Sequence, residues 1–222
     1  MALDWFPLWL SLRVASLATL LATAVGIAVA YLLAHRTFRG KNALDALVTL
    51  PLVLPPTVLG YYLLVLFGRD AWLGRAYEAV FGQPLVFTWQ AAVVAAFFHA
   101  APLLIKSTRA ALESVDQSYE RAARSLGASE FRTFFRISLP LASRGILAAI
   151  ALAFAQALGD FGVTIMLAGN IPGRTQTVAV AIYDAVESDA GSVARILVIV
   201  TSIIAVAVVW LANHLAPKRV EV

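Results

Sequence analysis

The chain has 222 residues, of which 61% are hydrophobic and only 14% charged, with a mean hydropathy of +0.83. Soluble domains carry about 45–50% apolar residues, and one of this size cannot hide so large an excess from water, so the composition points to an integral membrane protein. The absence of cysteine excludes disulfides, thiolate chemistry and cysteine metal sites. The net charge of +4 does not mark a nucleic-acid binder, because the basic residues sit at membrane boundaries and not along one groove-binding helix.

Five stretches are long enough to cross about 30 Å of hydrocarbon, which takes roughly 20 helical residues. They are approximately Val14–Ala34, Ala46–Phe67, Leu85–Ile105, Gly145–Ala168 and Ile196–Ala216. These runs are too long and alternate too little for barrel strands, and lipid offers no partner to an open backbone group. The fold class is therefore an all-α membrane protein of five transmembrane helices, read as one domain over 1–222. Of the 17 Lys and Arg residues, 12 collect on one side: Arg36, Arg39, Lys41, Lys106, Arg109, Arg121, Arg124, Arg132, Arg136, Arg144, Lys218 and Arg219. The positive-inside rule makes that side cytoplasmic, with the N-terminus outside and the C-terminus inside. The first span lacks a basic n-region and is followed by HRTFRGK, so it is expected to be a retained anchor. Arg13, near the outer end, is expected to snorkel to the interface. The tail PKRVEV is too short for a regulatory domain.

In the second span Pro51, Pro55 and Pro56 precede Gly60, so the helix is expected to break or kink. Two readings stand: a packing kink, or a bend along a translocation path on which Thr57 offers a hydroxyl. Pro102 in span three invites the same pair. On the outer side, residues 68–84 carry Trp72, Leu73, Tyr77, Val80 and Phe81 at helical spacing, as in an interfacial helix. Residues 175–188 place Val178, Ala181, Ile182 and Ala185 on one face.

Between spans three and four lies a loop of residues 106–144. Its segment ERAARSLGASEFRTFFRISLP, Glu120–Pro140, reads as two short helices. Tyr119, Ala122, Ala123 and Leu126 share one face of the first. Gly127 supplies the left-handed turn that ends it. Ser129 caps the second, with Glu130 in its first turn. Phe131, Phe134 and Phe135 line one side, Arg132 and Arg136 the other, and Pro140 opens the next span. Residue spacing alone leaves two uses: an amphipathic loop held to anionic lipid, or a knob that seats in a protein groove.

Asp160 is the one acid deep in a span, flanked by Gly159 and Gly162. It reads as structural or gating, with the glycines permitting close helix approach and Asp160 hydrogen-bonding across it. Asn170, Thr175 and Thr177 are either turn and cap residues or hydroxyl and amide donors for a tetrahedral anion. His35, His99 and His214 are too scattered to suggest a metal site. No Ser-His-Asp or paired-carboxylate arrangement supports enzyme chemistry.

Ala122, Ala123 and Gly127, followed by Ile137, Ser138, Leu139 and Pro140, resemble the EAA loop of binding-protein-dependent ABC importer permeases. That pattern is E-A-A, three residues, G, nine residues, I-x-L-P. Arg121 stands where the pattern has Glu, and Glu120 lies one position earlier. TLPLVLPPTVLGYYLL and QALGDFGVTIMLAGNIPGRTQT resemble the permease subunit of molybdate importers, with sulfate permeases as near relatives. The resemblance implies a homodimer in the bacterial inner membrane that moves molybdate or tungstate by alternating access. It further implies two ATP-binding subunits docked on a coupling loop of Glu120, Arg121, Ala122, Ala123, Gly127, Phe131, Phe134, Phe135, Ile137, Leu139 and Pro140, and an extracytoplasmic binding protein. A path or gate would draw on Pro55, Pro56, Thr57, Gly159, Asp160, Gly162, Asn170, Thr175 and Thr177. No cofactor is implied for this chain. Its only Gly-Lys, Gly40-Lys41, is no P-loop, so ATP and Mg belong to the partner ATPase. The rival from another class, a secondary transporter or channel, predicts paired intramembrane charges or an inverted repeat, and neither is evident. A membrane scaffold or enzyme subunit without transport is the third possibility.

Overall fold

The computed structural model describes residues 4–215. Lys218, Arg219 and the tail lie outside the described residues. Helix α1 runs over Phe6–His35, opening with Pro7 in its first turn, where the missing N–H costs least, and ending where Arg36 turns extended. Its 30 residues give about 45 Å of helix at 1.5 Å each, more than a bilayer core requires. The helix begins well before the expected Val14. Its buried stripe is Leu10, Val14, Ala15, Ala18, Ala22, Gly26, Ala30 and Leu33.

That stripe packs on α5, Trp89–Glu113, which carries Ala91, Ala92, Ala95, Ala96, Ala100 and Leu104 inside the core. Small residues let two backbones approach, which is how helices gain packing where lipid offers no hydrophobic drive. At Gly26 a Cβ would stand 2.6 Å from Leu104 Cδ2. Thr88 caps α5 by accepting from Ala91 N at 3.2 Å. Pro102 lies inside α5 without ending it. Within its most apolar window 61% of α5 is buried, against 11% for the last long helix, so α5 is the axis of the bundle.

The expected second span is two helices, α2 (Lys41–Val53) and α3 (Pro56–Phe67), bent by 116°. The cause is local. Leu54 and Pro55 each precede a proline, which disfavours the helical region, and both are extended, at φ −70°, ψ 141° and φ −53°, ψ 136°. Among the described residues, four helices are long and apolar enough to cross a membrane alone, and this pair makes a fifth crossing if counted as one span. The segment Trp72–Phe81 forms the short helix α4, with Trp72, Val80 and Phe81 exposed.

Helix α6 covers Gln117–Ser125 and α7 covers Glu130–Thr133. A π turn, Phe134–Ser138, then leads without a break into α8, Leu139–Leu158. The expected fourth span therefore begins far earlier than Gly145 and stops at Leu158, and the second loop helix is its first turn. Pro140 has no N–H for the i−4 carbonyl and its ring crowds that group. A wider π turn lies just before it, closed by Leu139 N donating to Phe134 O. Helix α9 (Gly162–Ala168) lies against α3, α10 is Val178–Glu187, and α11 runs over Gly191–Leu215, starting before the expected Ile196. In α10, Val178, Ala181 and Ala185 are buried as the spacing predicts.

Candidate functional site: the arginine-rich loop and its seat

Local rules account for the first half of the loop. Asp116 caps α6, accepting from Ser118 N at 2.8 Å. Helix α6 ends in a two-bond turn: Gly127 N donates to Arg124 O and Ala128 N to Ala123 O, each at 3.0 Å. This is the Schellman arrangement, which needs a left-handed residue after the cap, and Gly127 has φ +84°. Ser129 then caps α7, accepting from Arg132 N at 3.3 Å.

The aromatic cluster is not one-sided as expected. Phe131 and Phe135 face outward, 74% and 49% exposed, with ring centroids 4.5 Å apart. Phe134 turns inward onto Tyr31 of α1, centroids 4.6 Å apart. The contact with Tyr31 draws Phe134 away from the exposed pair. Leu126, 89% exposed, joins the outward face with Tyr119. Leu126 was legible in the sequence as an apolar residue just before Gly127, but it was assigned to a helix face. Arg121, Ala122, Arg132, Arg136 and Pro140 are exposed, whereas Ala123, Ile137 and Leu139 are half-buried.

Glu120, expected to belong to the coupling loop, is 5% exposed, with its carboxylate turned into the chain. Its Oε1 accepts from Ser138 Oγ at 2.6 Å and from His35 Nε2 at 2.9 Å. Its Oε2 accepts from Arg124 Nη2 at 3.3 Å. With a carboxylate as acceptor, the His35 proton sits on Nε2. Burial raises the Glu120 pKa, but the hydrogen bonds from Ser138 and His35 and the nearby Arg124 guanidinium outweigh it and hold the carboxyl below the ordinary glutamate value. Beside it, Arg36 pairs with Glu130. The contacts of His35 and Arg36 were not foreseen, because partners 85 and 94 positions apart in sequence leave no periodic signal.

At the same end Asp45 of α2 accepts from Lys106 Nζ at 2.8 Å and Arg109 Nη1 at 3.1 Å. The Lys106 hydrogen bond leads the effects that hold the Asp45 carboxyl below its ordinary value. A lowered folded-state pKa stabilises the fold at pH above the unfolded value, about 3.9, and that contribution is lost as pH falls through the lowered pKa. Asp45→Asn should cost about 0.2–1 kcal/mol near neutral pH. Thermal unfolding in detergent should show the gap to the unmutated chain closing in acid; a gap that persists there contradicts the assignment.

The candidate path residues separate in space. Pro55, Pro56 and Thr57 are exposed at the α2–α3 bend. Gly162 does permit close approach: a Cβ there would meet Pro56 Cβ at 2.7 Å. Gly159 only closes α8. Asp160 is buried and bonds locally, not across helices, accepting from Thr164 Oγ1 at 2.6 Å and Val163 N at 3.4 Å. Its carboxylate caps the first turn of α9 from one residue before the N-cap position, Phe161. Asp160→Ala should remove that cap, worth about 0.5–2 kcal/mol, and strand the Thr164 hydroxyl. Asp160→Asn, which keeps an acceptor, should cost less, and equal thermal stability of the Ala variant and the unmutated chain would refute the capping role.

At the opposite end, Asn170 Nδ2 donates to Asp184 Oδ1 at 3.0 Å and Thr175 Oγ1 accepts from Ile171 N at 3.1 Å. Thr175 serves its own turn, whereas Asn170 ties that turn to α10. Thr177 Oγ1 is buried without a partner, while the next backbone N–H, Val178 N, donates to Ser11 Oγ of α1 at 2.7 Å. Arg13 does not simply reach for water: its guanidinium stacks 3.9 Å from the Trp89 ring centroid and 5.4 Å from that of Trp9.

Residues 22–221 match the family of binding-protein-dependent transport system inner membrane components. The chain is 44% identical over 215 residues to the molybdenum transport system permease protein ModB of Escherichia coli (strain K12), covering 95% of this chain and 94% of that one. It is 43% identical over 182 residues to the putative molybdenum transport system permease protein YvgM of Bacillus subtilis (strain 168), covering 82% and 80%. Identity is 35% over 163 residues to the sulfate transport system permease protein CysT of a Synechocystis strain, covering 73% and 57%. Among solved structures, a chain of a bacterial alginate ABC transporter, crystallised with an alginate pentasaccharide-bound periplasmic protein, superposes with a TM-score of 0.74. The match covers 100% of this chain and 81% of that one at 15% identity, so it speaks to the fold. The chain belongs to the family of binding-protein-dependent transport inner-membrane components, and it is a multi-pass inner-membrane protein.

Proposed function

We propose that the chain is the permease subunit of an ATP-driven importer that carries molybdate by alternating access. The observation that carries this reading is identity of 44% across nearly the full length of a molybdenum permease, against 35% over a shorter stretch of a sulfate permease. Residues 1–222 act as one transmembrane domain crossing five times, with α2 and α3 together forming the second crossing. The end bearing Arg36, Lys106, Arg121 and Arg132 is cytoplasmic. Two copies form the pathway, two ATP-binding subunits supply ATP and Mg, and an extracytoplasmic binding protein delivers the anion.

The outward face of Leu126, Phe131 and Phe135, flanked by Arg121, Arg132 and Arg136, is the ATPase dock. It is apolar at the centre and charged at the rim, the usual anatomy of a protein interface. The path runs by the exposed Pro55, Pro56 and Thr57, while Asp160 and Gly162 hold α9 against α3. Anion choice separates molybdate from sulfate: vesicles with all subunits should take up labelled molybdate almost unaffected by a hundredfold excess of sulfate. Loss of most uptake to sulfate would move the assignment to the sulfate class.

A further inference from the structure

The two acids of the segment Glu120–Pro140, Glu120 and Glu130, are both engaged at the end of α1, by His35 and by Arg36 just after it. Glu120 joins three elements through one carboxylate: His35 at the end of α1, Arg124 within α6, and Ser138 at the end of the π turn. Glu130 of α7 takes Arg36. A third tie is apolar, with Phe134 on Tyr31, and Tyr31 in turn stacked on His35 at 4.8 Å. Along the chain, α6 is joined to the bundle only through residues 114–116 and through the turn at Gly127. These contacts give it a second route, straight into α1, whose buried stripe runs on along α5.

We propose that His35, Glu120 and Ser138 are positioning residues that lock the loop to α1, so that movement of a docked ATPase is delivered to the α1–α5 core. The Glu120 carboxylate is thus an internal brace and not a docking group. A buried carboxylate with three donors is well suited to this, since breaking one bond leaves a desolvated charge short of a partner. The proposal rests on the reading of the outward face as the ATPase dock.

The test uses the complete transporter in vesicles and reads anions imported per ATP hydrolysed. His35→Ala removes the α1 side of the brace without touching the outward face. It should leave ATPase assembly and hydrolysis within twofold of the unmutated complex and lower import per ATP at least fivefold. His35→Gln, whose amide can donate to Glu120, should restore the ratio to within twofold. Ser138→Ala, which cuts the 2.6 Å bond from the other side, should lower the ratio as well, and it decides the matter if His35→Ala fails to assemble. An unchanged ratio in the alanine variants, or a loss that glutamine does not repair, overturns the brace. If the unmutated complex needs no ATP, the functional reading falls and the brace falls with it. A normal ATP requirement with an unchanged ratio removes the brace alone.

Discussion

Replacing Gly127 with proline should abolish recovery of the ATP-binding subunit with this chain while leaving membrane insertion intact. Gly127 has φ +84° and its N–H donates to Arg124 O. Proline fixes φ near −65° and has no N–H, so it loses both the turn and the bond, at about 3 kcal/mol or more. No atom lies within 4 Å of a Cβ built there, so the effect comes from backbone conformation and not from a clash. Gly127→Ala serves as the graded control, costing roughly 1–2 kcal/mol for a left-handed Cβ, with partial loss of assembly. The turn orients α6 against α7, outside the α1–α5–α8 packing, which explains why insertion survives. Stoichiometric co-purification of the ATPase with the proline variant would show that the turn does not shape the dock.

The second large effect is expected at Phe131. Its ring is mostly exposed and contacts chiefly Phe135, so Phe131→Asp takes little from the fold of the isolated chain. A buried aromatic anchor in an interface is worth 2 kcal/mol or more on truncation, about a 30-fold loss of affinity, and a carboxylate in its pocket adds a desolvation cost. Phe134→Asp makes the contrast. Phe134 packs on Tyr31, so that change should lower the melting temperature of the isolated permease and disturb docking only indirectly. Melting curves and ATPase affinity measured for both variants separate the roles. An affinity within threefold of normal for Phe131→Asp places the docking face elsewhere.

These two aromatics show what the sequence does and does not reveal. The cap at Ser129 and the left-handed turn at Gly127 follow from residue chemistry within four positions, and both were readable. The division of Phe131 and Phe135 from Phe134 depends on the meeting of Phe134 with Tyr31, a contact between distant parts of the chain that a 3.6-residue period cannot foresee. Glu120 shows the same limit over a longer range: its burial is decided by His35, far away in the chain. The Pro55-Pro56 break was legible because each proline removes an N–H and crowds the preceding turn. Its 116° angle was not, because residue types alone do not give the backbone angles taken at Leu54 and Pro55. Asp160 carries a similar lesson. Its depth in an apolar run marked it as special, but only the fold distinguishes a cap of α9 from a bond between helices.

The account turns on energy coupling by a separate subunit. The most direct measurement is molybdate uptake into sealed vesicles holding this chain, its ATP-binding subunit and the binding protein, with ATP and Mg inside. Uptake should appear only when all components and hydrolysable ATP are present, and should stop when a non-hydrolysable analogue replaces ATP. Molybdate entry through this chain alone, without ATP or binding protein, would contradict it.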